Sequence, residues 1–259
     1  MRLLFIRHGD PDYERDSLTE KGHKEARLLA RTAHRLQLGH CFQSPLGRAQ
    51  VTASYSLKET GKTARTLSWL QEFPATVDIN GCPELQTCFP DTPLEDDART
   101  FSLRVPWDMV PAYLWSHPEY TGSPDGWRKS LVAAHSHMAA DYDAVMAGFD
   151  TLLAEYGYRR EGFYYHPEVA SGQTLTFFCH FGITCALLSH LWNTSPFLLW
   201  HQLALAPSSV TEVVSEERQD GIASFRALRL GDQSHLALGS EAPSFACRFC
   251  ETFDSPDRH

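Results

Sequence analysis

Arg7, His8 and Gly9 follow directly on the apolar run Leu3-Leu4-Phe5-Ile6, and a second histidine, His180, follows the β-branched and aromatic run Thr174 to Cys179. Between them in sequence, Arg48 stands four residues after Ser44 in "SPLGRAQVTA". A neutral imidazole is a competent nucleophile near pH 7. A guanidinium stays charged and matches phosphate with a two-pronged set of hydrogen bonds. Two arginines and two histidines around one point therefore suggest phosphoryl chemistry. Taken singly, a histidine at a strand end is more often a satisfied structural residue, and Arg48 alone reads as a surface helix residue. The chemical reading rests on each lying just beyond a predicted strand.

Those strands have to place them. Arg2 to Ile6 reads as a short buried strand by its continuous apolar run. Ser17-Leu18-Thr19-Glu20 has capping-box spacing, and Ala26, Leu29, Ala30, Ala33 and Leu36 recur at helical intervals, which predicts a helix from about Thr19 to Leu36. Cys41 to Gln43 is a candidate strand, with Ser44 as cap and Pro45 as first residue of a second helix running to about Glu59. A strand is expected over Thr66 to Leu70, another over Thr174 to Cys179, and a helix from about Ile183 to Trp192. Val210 to Val214 and Phe225 to Leu230 predict two late strands around "RQDG". Strands alternating with helices predict an α/β fold, a three-layer α/β/α sandwich with a mostly parallel central sheet covered on both faces. In such sheets ligands lie beyond the carboxyl ends of the strands, where Arg7, His8, Arg48 and His180 would all fall.

Residues 73 to 172 differ in character. The first half is rich in Pro, Asp and Trp, and the second has an apolar stripe from Leu131 through His135, Met138, Tyr142, Val145, Phe149 and Leu152 to Tyr156, stopped by Gly157. The expected organisation is one domain over 1–259, with a core from 1–72 and 173–245. A largely helical insertion or lid over 73–172 contains a long helix from about 129 to 156, and 246–259 forms a tail. Trp107, Tyr113, Trp115, Tyr120 and Trp127 line a substrate cleft or, on the favoured reading, pack the lid. His135 and His137, two apart on a helix, would face different sides and could not ligate one ion together. "GFYYHPE", with His166, is an aromatic stretch at the edge of the expected site.

The chain of 259 residues is long enough to bury roughly three quarters of its unfolded surface. A hydrophobic content of 42% and a charged content of 21% are ordinary for a globular enzyme. The seven cysteines are an odd number in a chain too large to need disulfide staples, so reduced thiols are expected. Cys247 and Cys250 have Cys-x-x-Cys spacing without the further ligands a structural zinc requires. The chain enters its first strand without a signal-like apolar segment and has no run approaching the roughly 20 apolar residues of a membrane span, so a cytoplasmic protein with no membrane association is expected. A formal charge of −9 argues against nucleic acid as a partner and requires any anionic ligand to be held by a local cluster of cations.

The motifs resemble those of the histidine phosphatase superfamily, which includes the cofactor-dependent phosphoglycerate mutases and many metabolite phosphatases. "LLFIRHG" is similar to its N-terminal signature, "LTEKGHKEA" to its helix start, "SPLGRAQVTA" to its S-x-x-x-R-A-x-x-T-A segment and "FFCHFGI" to the strand carrying its second histidine. The resemblance covers about residues 1–72 and 173–230. It implies a phosphoglycerate mutase-like fold, with His8 as the phosphorylated residue, Arg7 and Arg48 as phosphate clamps, and His180 as the second histidine, both catalytic and phosphate-binding. "LSWLQEF" resembles the segment bearing the family's proton donor, which implies that Glu72 is the general acid; Asp10 and Asp12 are the alternatives, and an ordinary exposed Glu is the structural reading. The activity implied is hydrolysis of a small phosphorylated metabolite through a phosphohistidine, without a metal or other cofactor.

Three departures qualify this. Glu14 stands where the mutases typically carry Asn, adding an anion where a bisphosphate would bind; this disfavours a mutase. Phe181 stands where a Gly usually follows the second histidine, and residues 73–172 are unmatched. The alternatives are a phosphoglycerate-mutase-type phosphotransferase and a phospho-ligand-binding or regulatory protein without turnover.

Overall fold

The computed structural model describes residues 1–89, 104–169 and 171–244. They divide into two compact units, one formed by Met1–Glu72, Leu152–Thr184 and the chain from Ala204, the other by Phe73–Thr151 and Cys185–Leu203.

The first unit is built on an eight-stranded sheet. Its strands are β1 (Arg2–Arg7), β4 (His40–Gln43), β5 (Ala64–Thr66), β6 (Tyr158–Glu161), β7 (Tyr164–Pro167), β8 (Thr174–Cys179), β9 (Val210–Gln219) and β10 (Ile222–Asp232), in the order β5-β4-β8-β1-β9-β10-β7-β6. The short strands β2 (Pro11–Asp12) and β3 (Ser17–Leu18) pair separately. β5, β4, β8 and β1 run parallel, and β9, β10, β7 and β6 extend the sheet by antiparallel pairing. The fold class is therefore α/β as the alternating pattern predicts, with the parallel half carrying the strand ends of interest.

The apolar run of β1 is continuous because both its faces are covered. Leu4 and Ile6 point to one side and pack with Phe178, Cys41 and Val210 beneath Leu29, Ala33 and Leu36 of helix α1 (Glu20–Leu36) and Ala53 of helix α2 (Gly47–Thr60). Phe5, on the other side, stacks on Phe177 at 5.2 Å, and Phe177 stacks on Phe42 at 5.4 Å.

Several boundaries differ from expectation, for reasons that lie in distant partners. The cap of α1 is Thr19, not Ser17: its Oγ1 accepts from Gly22 N–H at 3.1 Å and donates to Asp10 at 2.6 Å, while Ser17 belongs to β3. Helix α2 begins at Gly47 rather than Pro45, because the Ser44 hydroxyl accepts from Leu46 N–H at 3.1 Å and is engaged by His180 instead of capping. β5 ends at Thr66, and Ser68–Leu70 is a turn of 3₁₀ helix. The helix after "FFC" starts at Phe181, and the two late strands are longer than the apolar residues alone indicate.

Within 73–172 the apolar stripe does not form one helix. A single turn, Leu131–Ala134, is followed by a break and then the helix Met138–Glu155. The break is held by the Val77–Ser136 bridge and by Asp78 N–H donating to the His135 carbonyl at 2.9 Å. Residues 158–167, in a stretch expected to be largely helical, form the β6–β7 hairpin that joins the sheet edge; His166 lies on β7 with Nδ1 3.0 Å from the Gly221 carbonyl. Trp127 and Tyr120 are fully buried in the second unit, where Phe197 and Trp200 also pack and Trp107 lies edge-on to Trp200 at 5.6 Å. These three aromatic residues are packing residues there; Trp115 is exposed. The Cys247–Cys250 pair lies outside the described residues, and the five described cysteines are free thiols. Among the described residues no helix is long and apolar enough to cross a membrane.

Phe177 sits between two stacked rings with no exposed surface. Phe177→Ala is expected to lower stability by about 3–5 kcal/mol, read as a shift in the urea midpoint; a loss below about 1 kcal/mol would mean that this face of the sheet can repack.

Candidate active site

In the register of the parallel β1–β8 pair, Arg7 lies opposite Cys179, so the next residue of each strand is a histidine. The His8 N–H donates to the Cys179 carbonyl at 3.0 Å, and the His8 and His180 rings come to 5.0 Å between centroids. Both are buried, as is Arg7. The chain leaves His8 through Gly9, whose N–H donates to Thr52 Oγ1 at 3.0 Å. A Cβ at Gly9 would lie 2.7 Å from the Gly22 carbonyl oxygen, so only glycine lets the strand end pass this close to the start of α1.

His8 Nδ1 is 2.7 Å from the Gly9 carbonyl. A carbonyl only accepts, so Nδ1 carries the proton and Nε2 is left as the unprotonated nitrogen. His180 Nε2 lies 2.7 Å from Ser44 Oγ, and its Nδ1 is buried without a hydrogen-bond partner among the described residues. Because the Ser44 oxygen accepts from Leu46 N–H, its own proton is available to His180 Nε2, and in that tautomer His180 Nδ1 is a free donor.

Burial, and then the positive charge of Arg7 and of Arg48, hold His8 well below its ordinary pKa, the Gly9 carbonyl opposing. His180 is lowered in the same direction by burial, by His8 and by both guanidinium groups. Both rings are therefore neutral near pH 7. Arg7 Nη1 donates to the Leu205 carbonyl at 2.7 Å, and its guanidinium lies 5.9 Å from the centre of the Phe181 ring. The side chain at 181 is thus a wall against Arg7. Arg48, second residue of α2, donates Nη1 to Asp16 at 2.7 Å, lies 5.4 Å from the exposed Tyr13 ring, and has a buried Nε with no partner among the described residues.

Glu72 is brought to the first turn of the helix after His180, its Oε1 accepting from Ile183 N–H at 3.0 Å. The alternative carboxylates are otherwise occupied. Asp10 accepts from Thr19 Oγ1 and from the Ser244 hydroxyl, and Asp12 pairs with Arg15 at 3.4 Å. Glu14 is exposed. All of Arg7, His8, Arg48, Glu72 and His180 belong to the first unit. His135 and His137 belong to the second, in the helix break, and line a cleft of about 420 Å³ with Asp78 and Ser136. Among the described residues no three side chains form a metal-binding cluster.

Three further residues support the site: Thr52 is the Thr of the S-x-x-x-R-A-x-x-T-A segment, and Asp16 and Glu25 are not found by motif spacing. Thr52 bridges Gly9 N–H and the Arg48 carbonyl; Asp16 holds Arg48; and Glu25, fully buried on α1, accepts the Asp10 N–H at 2.8 Å. For Glu25 the available signal is a charged residue beside Ala26, on the apolar stripe of a helix, where a carboxylate has no reason to be unless it meets a polar backbone group.

The histidine phosphatase superfamily (branch 1) family model matches residues 3–109. Solved structures with the same fold include a mycobacterial glucosyl-3-phosphoglycerate phosphatase, 21% identical over 89% of this chain and 98% of its own, with a TM-score of 0.54. A phosphoserine phosphatase from Entamoeba histolytica is 15% identical over 91% and 98%, with a TM-score of 0.53. The alpha-ribazole phosphatase of Shigella flexneri is 15% identical over 90% and 97%, with a TM-score of 0.51. No curated protein matches the sequence. The resemblance read from the motifs is thereby borne out, and the chain has the histidine phosphatase fold.

Burial pushes the Glu25 carboxyl up to about 7, and the Asp10 carboxylate adds to the rise against the Asp10 and Ser244 N–H groups and Lys21. A raised acid holds its proton in the folded state after the unfolded chain has lost it. The stability this group contributes is therefore complete below about pH 4.5 and is lost as the pH climbs through about 7. Glu25→Gln, which keeps an oxygen for Asp10 N–H, should lose less stability than the parent between pH 5 and 8 in urea titrations; parallel losses would show that Glu25 does not titrate there.

Proposed function

We propose that this chain, with the histidine phosphatase fold, is a metal-independent phosphomonoester hydrolase that acts on a small phosphorylated metabolite through phospho-His8. The observation that carries the reading is His8 itself. It is a buried neutral imidazole, its Nδ1 proton tied to the Gly9 carbonyl and its Nε2 thereby left with the lone pair, with two guanidinium groups acting on it.

In this mechanism His8 Nε2 attacks phosphorus in line. The N–P bond forms as the ester P–O bond breaks, through a loose transition state whose charge spreads over three equatorial oxygens. Arg7 and Arg48 meet that charge with fixed cations, and His180 donates from Nδ1. The leaving alkoxide takes a proton from the Glu72 carboxyl; the resulting carboxylate then removes a proton from the water that attacks the phosphohistidine, releasing inorganic phosphate and restoring His8. The positive charge these side chains bring to the phosphoryl group is the role that magnesium plays in other phosphoryl-transfer sites, which is why no metal is assigned. Hydrolysis is preferred to mutase chemistry because Glu14 sets an anion in the segment that follows His8. The glucosyl-3-phosphoglycerate phosphatase, phosphoserine phosphatase and alpha-ribazole phosphatase that share the fold support a small phosphorylated substrate without selecting one.

His8→Ala should abolish both p-nitrophenyl phosphate turnover and the acid-labile phosphoenzyme, with chelator present throughout; wild-type turnover in that variant would overturn the mechanism. Glu72→Gln should lose on the order of 10² to 10⁴ in rate on alkyl phosphates and much less on p-nitrophenyl phosphate, whose leaving group needs no proton. Equal losses on both would remove Glu72 from the acid role. Because His8 is held well below its ordinary pKa by burial and the two arginines, kcat/KM should not fall as the pH drops through about 6.5. Arg7→Gln removes one of the lowering charges and should bring the acid limb up toward that value; an unmoved limb would mean that another group sets it.

A further inference from the structure

Arg48 is not held by its own helix. Its Nη1 donates to Asp16 Oδ1 at 2.7 Å, and the other oxygen of the same carboxylate accepts the Gly47 N–H at 2.6 Å. One side chain thus caps the start of α2 and ties down the guanidinium one residue on. The backbone is arranged for this at some cost. Asp16 has φ +46°, in the left-handed region that Asp tolerates better than most residues. At Gly47 a Cβ would lie 2.2 Å from the Asp16 carbonyl oxygen, so the loop reaches α2 only because that residue is glycine. Burial tends to raise the Asp16 carboxyl, but the Gly47 N–H and Arg48 outweigh it and leave the group below its ordinary value, ionised wherever an enzyme of this kind would work.

With Nη1 spoken for, Arg48 keeps a buried Nε that has no partner among the described residues. The Tyr13 ring, 5.4 Å from the guanidinium centre, is a further constraint on its position. The guanidinium is planar, so an ion pair at one nitrogen and a ring beside it narrow the orientations of its remaining donors, which favours recognition of a phosphate by two parallel hydrogen bonds.

We propose that Asp16 is a positioning residue that acts through Arg48, orienting this guanidinium for the transferring phosphoryl group. The proposal rests on the phosphatase reading above, and assigns to the "DPDYERD" loop after the signature a role in catalysis and not only in closing onto α1. Asp16 touches neither the nucleophile nor the leaving group; its effect is transmitted by one ion pair.

The test is a double-mutant cycle on p-nitrophenyl phosphate. Asp16→Gly deletes the carboxylate while relieving the left-handed backbone, so it tests the side chain in a protein that folds; Asp16→Asn keeps an oxygen for Gly47 N–H but loses the charge on Arg48. In the parent background, Asp16→Gly is expected to lower kcat/KM about tenfold and Asp16→Asn by a smaller factor. In the Arg48→Ala background, Asp16→Gly should change kcat/KM by less than about twofold, because the group it acts through is gone. A parent-like kcat/KM for Asp16→Gly would overturn the proposal, and so would an equal loss in both backgrounds, since a merely structural residue would cost the same with or without Arg48. His8→Ala reads the underlying mechanism separately. If it retains activity the phosphohistidine reading fails whatever the cycle shows, and if it is inactive while the cycle is additive only the role of Asp16 falls.

Discussion

The in-register parallel pairing of β1 with β8 is the constraint on which the site depends. With Arg7 opposite Cys179, the two histidines emerge side by side where both strands stop donating to one another, and His8 N–H takes the last carbonyl of β8. A slip of one residue would turn one ring to the other face of the sheet. The register is secured far below the site, by Leu4 and Ile6 under α1 on one face and by Phe5 stacked on Phe177 on the other. Packing that involves none of the chemical groups therefore sets the distance between them.

From that fixed pair, the remaining groups are delivered by backbone hydrogen bonds rather than by side-chain reach. Ser208 N–H donates to the His8 carbonyl and Arg7 N–H to the Ser209 carbonyl, so the segment entering β9 clamps the end of β1. Ser208 itself is held at φ +59° with its hydroxyl 2.9 Å from buried His235. Thr52 ties Gly9 to α2, Asp16 ties α2 to the loop after β2, and Glu25 ties Asp10, just before β2, to α1. The catalytic candidates are few, but each is fastened through at least one polar contact distant in sequence.

This explains what could be read in advance. His8, Arg7, Arg48 and His180 were legible because apolar runs reveal strands, and residues just past parallel strand ends have one place to go. Glu72 needed the motif, since nothing local distinguishes it from a surface glutamate; its anchor, Ile183 N–H, is 111 residues away. Ser44 looked like an ordinary cap because capping is a local rule, and His180 takes its hydroxyl only in the folded chain. The β6–β7 hairpin was hidden by "YRRE" and "YYHP", which carry little alternation and are strands because β10 offers an edge. The helix break at His135–His137 leaves no mark in the sequence because apolar periodicity continues across it.

The charge state of the site follows from the same burial. Two guanidinium groups and two imidazolium groups in one largely buried cluster would repel each other without compensation, and burial with the two arginines keeps both imidazoles neutral. Asp16 offsets part of the charge on Arg48, and a chain of formal charge −9 supplies no general attraction for anions. What remains is a local positive field with unprotonated nitrogen at its centre. A bound phosphate dianion changes the balance: its negative charge opposes the arginines and raises the proton affinity of the rings beside it. On the proposed mechanism, His8 is therefore kept neutral until substrate binds, and His180 would become a better-charged donor only when there is a phosphoryl group to receive it.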